Sequence, residues 1–179
     1  MDPPAPFHPT ATRRVRTTVR VGVGVIVAVP DQPGHVYAGI RKGSHGSGTL
    51  ALPGGHLELY ESWTDCAKRE VLEEMNIELA DDLHLAHVTN DIMREEEKHY
   101  VTLFMMGKPA EGSSAPQNME PEKCEGWEPY SWTKLKSLLA MGVGIEEGTP
   151  RLFGPLKKLV QEEPEAVMKY IQASSSTSA

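Results

Sequence analysis

Apolar positions in the first half of the chain fall into short β-branched runs broken by turn residues, followed by one longer stretch with helical spacing. Val19 to Val29 is rich in valine, with Gly22 and Gly24 set into it, and reads as a strand. Asp31-Gln32-Pro33-Gly34 is turn chemistry and His35 to Arg41 returns as a second strand, so the pattern predicts a hairpin. A glycine-rich loop, Gly43 to Gly48, leads to a short strand at Thr49 to Leu52. Leu52 to His56 (LPGGH) then supplies a proline and two glycines, the composition of a tight loop whose backbone can approach a ligand closely.

Ser62 and Asp65 have the spacing of a helix N-cap and its capping-box partner, and good helix formers run from Cys66 to Met75. Trp63, Ala67, Val71 and Met75 recur every four residues and are expected to form the buried stripe. Leu83 to Met93 and Tyr100 to Met106 read as a pair of strands around an acidic, solvated turn, Arg94 to Lys98. A strand over Glu125 to Trp132 follows, then a helix over Thr133 to Leu139 and a helical tail from Arg151 that Pro164 interrupts. Helices flanking a mixed β-sheet make this an α/β chain.

A length of 179 residues suits one domain, which would bury roughly 70% of its extended-chain surface. Residues 1–17, rich in Pro, Thr and Arg, are expected to be a disordered arm, 18–172 a single domain and 173–179 a disordered tail. Gly112 to Pro116 reads as a loop. A net charge of -7 argues against binding a nucleic-acid polymer but allows a small anionic nucleotide held through a metal. Cys66 and Cys124 match neither a zinc spacing nor a disulfide framework and are expected to be reduced and structural. No stretch approaches the ~20 apolar residues of a membrane span, so a cytoplasmic protein without a membrane partner is expected.

The chemistry is concentrated on the predicted helix. Glu70 lies three residues from Glu73 and four from Glu74, which puts three carboxylates on neighbouring positions of one face. Each like-charged pair at this spacing costs a helix about 0.2 to 0.5 kcal/mol, and a divalent cation reverses that sign. Oxygen ligands of this kind suit Mg²⁺, with Mn²⁺ as a substitute. A bare charge run on a solvated helix is the plainer alternative.

The complete spacing is more specific. Gly55, five residues, Glu61, seven residues, Arg69-Glu70-Val71, one residue, Glu73-Glu74, one residue and Asn76-Ile77 resembles the Nudix box, with Asn76 where the pattern carries glycine. Asparagine tolerates the left-handed backbone wanted after a helix. The resemblance implies a mixed sheet sandwiched between helices. It also implies metal binding by Glu70, Glu73, Glu74 and the Gly54 carbonyl, with Arg69 pairing Glu61 to hold the loop against the helix. Glu70, Arg69 and Glu74 would form the catalytic set, with Glu74 the first choice of base, Glu122 the second and Glu120 a weaker one.

Beyond the box, residues 20 to 160 are similar to the cytosolic plant and human Nudix hydrolases of oxidised or modified guanine nucleotides. The segments that carry this are RKGSHGSGTLALPGGHLE, HYVTLFM and NMEPEKCEGWEPYSW. That resemblance implies a substrate pocket lined by Arg41, Leu52, Gly54, Gly55, His56, Thr102, Phe153 and Leu156, and a homodimer for which the sequence adds no warrant of its own. Gly154 stands where those relatives commonly carry tryptophan, removing a large stacking surface. The leading expectation is a metal-dependent pyrophosphohydrolase converting triphosphates such as 8-oxo-dGTP to the monophosphate plus pyrophosphate, clearing the nucleotide pool. A hydrolase of prenyl or other small diphosphates and a non-catalytic nucleotide-sensing domain are the alternatives.

Overall fold

The computed structural model describes residues 18–43, 45–141 and 148–173. The predicted N-terminal arm and residues 174–179 of the predicted tail lie outside the described residues, while Ala173, assigned to that tail, closes the last helix. The β-structure divides into two four-stranded sheets. One has the order β4 (Gly54–His56), β1 (Arg20–Val27), β6 (Lys98–Gly107), β5 (His84–Met93). The other runs β7 (Glu128–Ser131), β2 (His35–Ile40), β3 (Thr49–Ala51), β8 (Arg151–Leu152). Both mix parallel and antiparallel pairs: β1 runs parallel to β6, and β3 parallel to β8. Four helices complete the α/β fold: α1 (Trp63–Met75), α2 (Trp132–Ala140), α3 (Gly154–Glu162) and α4 (Glu165–Ala173).

The period of two in β1 sorts its side chains between two cores. Val23, Val25, Val27 and Val29 pack with Cys66, Ala67, Val71 and Met75 of α1. Ile26 faces the other way, with Phe104 and Met106 of β6, Leu50, Trp132, Leu135 and the α3 residues Leu156 and Leu159. Full burial of a valine or methionine side chain contributes about 2 kcal/mol, so Val71 and Met75 contribute more to holding α1 than the smaller Cys66 and Ala67. Gly22 and Gly24 share the Ile26 face, and the room they leave becomes part of the cleft described below.

The predicted hairpin is corrected. The DQPG turn closes, with Val29 accepting from Gln32 N and donating to the His35 carbonyl, but β1 and β2 share only the bridge Ala28–Val36 before diverging into different sheets. β1 instead pairs along its whole length with β6, from Arg20–Tyr100 to Val27–Gly107. Trp63 is also not in the buried stripe: at 46% exposure it lies on the helix's first turn, and Cys66 takes its place. The strand predicted at 125–132 begins later, at Glu128, and ends at Ser131, which caps α2 by accepting from Lys134 N. The helix predicted from Arg151 begins at Gly154, after the two-residue strand β8, and Pro164 separates α3 from α4 as expected. Among the described residues no helix is long and apolar enough to cross a membrane.

Candidate active site

Local chemistry builds α1. Ser62 caps it, its hydroxyl accepting from Asp65 N at 3.1 Å and donating to the Asp65 carboxylate at 2.6 Å. Asn76 ends it in the left-handed conformation, φ 54°, with its N–H on the Leu72 carbonyl. Two further carbonyls of the last turn are taken up by the 117–127 loop: Gln117 N donates to Met75 O, and Met119 N and Trp127 Nε1 both donate to Glu74 O. That docking brings Glu120 beside the acidic face of α1.

Against the other side of that face lies β4. A Cβ on Gly54, whose φ is 141°, would sit 2.0 Å from the Val23 carbonyl oxygen, and one on Gly55 would sit 2.2 Å from Glu70 Oε1. At Gly54 the clash is with backbone and no side chain fits; at Gly55 a side chain would displace the Glu70 carboxylate. Gly54 N donates to Glu74 Oε2 at 2.9 Å. Arg69 joins the layers. Its Nε and Nη2 reach the two oxygens of Glu61 at 2.8 and 3.0 Å, its Nη1 reaches Glu70 Oε1 at 2.8 Å and Glu73 Oε2 at 3.3 Å, and Nη2 also donates to the His56 carbonyl at 3.2 Å.

These contacts separate the acids electrostatically. The Arg69 guanidinium holds Glu61 down at about 2 and is itself held above its usual value by Glu61. Burial pushes Glu74 up to about 8; the Gly54 N–H opposes this, and the charges of Glu70 and Glu120 add to it. Glu70 is raised by burial too, against the pull of Arg69. Burial likewise raises both thiols, Cys66 to about 12, and both are free and buried, as inert structural cysteines are.

The donor set fits a hard divalent cation in its chemistry: the carboxylates of Glu70, Glu73, Glu74 and Glu120 offer oxygen only. A carboxylate that burial and like-charged neighbours push to about 8 is one whose ionised form lacks a counter-charge. As the side chains stand, no three metal-ligating groups converge among the described residues. Glu70 and Glu73 are turned to Arg69 and Glu74 to Gly54 N, so binding an ion requires them to turn.

Two lobes of one cleft meet at Leu52, Gly54, Gly55 and His56. The acidic lobe, about 520 Å³, is lined by Arg69, Glu70, Glu73, Glu74 and Glu120, with the cations Arg41, Lys42 and Lys123 on its rim. Glu122, the second choice of base from sequence, does not line it; Glu120 does, paired to Lys123 at 2.6 Å. The smaller apolar lobe gathers all eight residues expected there: Arg41, Leu52, Gly54, Gly55, His56, Thr102, Phe153 and Leu156. Arg41 lies 4.6 Å from the centre of the Phe153 ring, and His56 Nε2 lies 3.1 Å from the Tyr100 hydroxyl. Burial, then the charges of Arg20, His45, Arg41 and Lys98, lower the His56 pKa, which favours its neutral form.

Sequence reasoning missed His45, Met93, Tyr100 and Phe104 in this lobe, together with Gly22 and Gly24. The glycines had a signal: small residues alternating with valine mark one face of a strand left open. Gly154 borders the same wall, where an added Cβ would touch only Met93 Cε, at 3.6 Å.

A family model described as the NUDIX domain matches residues 18–152. Among solved structures, the MutT NUDIX hydrolase from Burkholderia pseudomallei superposes with a TM-score of 0.63 at 22% identity, over 80% of this chain and 97% of that one. The NUDIX hydrolase from Nitrosomonas europaea gives 0.61 at 18%, over 82% and 88%. The NUDIX domain of Shewanella oneidensis NrtR, complexed with ADP ribose, gives 0.60 at 14%, over 82% and 86%.

Proposed function

The chain belongs to the NUDIX domain family and is a Nudix pyrophosphohydrolase, and on that premise we propose that it cleaves (deoxy)nucleoside triphosphates, modified guanine nucleotides such as 8-oxo-dGTP first among them, to the monophosphate plus pyrophosphate. The observation that carries this reading is the two-lobed cleft: an apolar lobe opens directly onto an acidic lobe that Arg41, Lys42 and Lys123 also line. A neighbour of this fold is complexed with ADP ribose, which supports a nucleotide-linked substrate at that coarser level.

Nudix hydrolases generally use divalent metal ions. In this chain Glu70, Glu73, Glu74 and the Gly54 carbonyl would hold the ion, Mg²⁺ or Mn²⁺, which when bound neutralises the non-bridging phosphate oxygens and acidifies water. The protein's own groups do the rest. Arg41, Lys42 and Lys123 hold the phosphates by charge. Glu74 takes the proton of the attacking water on Oε1, the oxygen that Gly54 N leaves free. A base is most effective near the working pH, and burial has moved Glu74 in that direction. Glu120, facing the same space, is the second candidate. Arg69 holds Glu61 and Glu70 in place.

A second reading, a prenyl or other small diphosphate as substrate, draws on Gly154 and Met93, which leave their own stretch of the lobe wall apolar and without a ring. Hydrolysis of 8-oxo-dGTP, dGTP, dCTP and geranyl diphosphate in ¹⁸O-labelled water, with products resolved by mass, tests both readings. The expected result is pyrophosphate release from the guanine nucleotides at kcat/KM values at least about tenfold above that for geranyl diphosphate. A preference for geranyl diphosphate overturns the nucleotide reading, and no turnover of any of the four returns the sensing alternative.

A further inference from the structure

We propose that Asp91 selects the substrate by fixing the direction of one proton: it takes the hydroxyl hydrogen of Thr102, so the apolar lobe receives an occupant carrying an N–H donor, such as a nucleobase amide or amino group. This rests on the nucleotide reading above and goes further, because it names the group on the base that is read.

Among the described residues the buried polar side chains are Thr89, Asp91 and Thr102, at 3%, 2% and 6% exposure, and they form one network. Asp91 Oδ2 accepts from Thr89 Oγ1 and from Thr102 Oγ1, each at 2.7 Å. The other oxygen, Oδ1, lies 3.3 Å from Lys158 Nζ, which also donates to the Asn90 carbonyl. Strand register sets the arrangement: Thr102 on β6 is paired with Thr89 on β5 and with Gly22 on β1. One flank of Thr102 therefore carries the acid and its hydroxyl partner. The other borders the apolar lobe, which Gly22 and Thr102 both line; Gly22 sets no side chain against Thr102 Oγ1, where a Cβ would come into contact at 3.7 Å.

A threonine hydroxyl has one proton to give and two lone pairs to receive. Bonds to a carboxylate are stronger than bonds between neutral groups, so the Thr102 proton stays on Asp91 and the lobe sees only an acceptor. A donor on the occupant satisfies that acceptor. A hydrocarbon chain against it leaves a buried oxygen unpaired, which counts against a prenyl group in this lobe. Lys158 belongs to α3, the helix that also carries Pro155 and Leu156 to the lobe wall, so the ion pair fixes the wall and the proton direction together. Asp91 touches no substrate; it is a positioning residue.

The test compares kcat/KM for dGTP with dITP, which lacks the 2-amino donor, and with 1-methyl-dGTP, which lacks the ring N–H. The native enzyme is expected to prefer dGTP over at least one analogue by about tenfold or more. In Asp91→Asn, Lys158 holds the amide oxygen, so the amide N–H faces Thr102 and the hydroxyl proton is free to turn into the lobe. The preference should then shrink to within about threefold, and Asp91→Asn added to Thr102→Val should change the ratio no further. If Asp91→Asn does not fold, Thr102→Ser is expected to keep the preference and Thr102→Val to lose it. A folded Asp91→Asn enzyme with the native ratio overturns the proposal, as does equal loss in the serine and valine variants. Hydrolysis of all three nucleotides without preference defeats this inference alone, whereas no hydrolysis of any of them defeats the nucleotide reading as well.

Discussion

Glu74→Gln is expected to lower kcat by about 10³-fold, in the range that loss of a positioned general base produces, while the protein remains folded. The substitution is close to isosteric, and a glutamine oxygen can still accept from Gly54 N, the one hydrogen bond Glu74 makes through its carboxylate. Without metal the native side chain is mostly the neutral acid at pH 7, which the neutral amide replaces, so the fold loses nothing there. What disappears is the capacity to ionise, and with it the proton acceptor on Oε1 and one of the anionic oxygens of the acidic lobe. Steady-state kinetics together with a thermal melt separate the two effects. An intact protein with kcat within tenfold of native would remove Glu74 from the catalytic role.

The second large effect is expected at Arg69, and it reverses the balance between stability and activity. Arg69→Leu leaves Glu61 and Glu70, whose side chains are each 13% exposed, without their shared cation. Breaking a fully buried ion pair by removing one partner costs about 3 to 5 kcal/mol and an exposed one about 1 kcal/mol or less, so for these half-buried side chains a loss of about 2 kcal/mol is expected. Glu61 loses the guanidinium that holds it at about 2, and the His56 carbonyl loses a donor. Urea unfolding gives the measurement. In the double variant Arg69→Leu, Glu61→Leu a good part of the loss should return, since the stranded carboxylate is gone. Additive losses would mean that Arg69 and Glu61 do not act as a pair.

What could be read from the chain was local. The α1 helix, its Ser62 cap and its left-handed end at Asn76 are written in residues a few positions apart, and they formed where the spacing placed them. The pairing of β1 with β6 is not local: nothing in Val19 to Val29 distinguishes a hairpin with β2 from a parallel ladder with a segment far along the chain. Strands as short as β4 and β8 carry too few residues to show a period. Which acid of the 117–127 loop lines the cleft, Glu120 rather than Glu122, is not legible because a loop's conformation depends on what it docks against, here the last carbonyls of α1. Asp91 was invisible for the opposite reason. In the run Thr89-Asn90-Asp91 an edge strand looks like any polar strand, and only the packing of α3 over β5 shows that two of the three are buried.

The central claim is that Glu74, unlike Glu70 and Glu73, is kept without a partner cation until a divalent ion arrives. Titration calorimetry of the protein with Mn²⁺, repeated in buffers of different ionisation enthalpy, tests it by counting protons. Glu74 stands at about 8, so at pH 7 it is mostly protonated, and an ion that needs the carboxylate must expel that proton. The expected result is close to one proton released per ion at pH 7, falling away above about pH 9 and absent in Glu74→Gln. Binding with no proton release at pH 7, or no binding at all, would contradict the account.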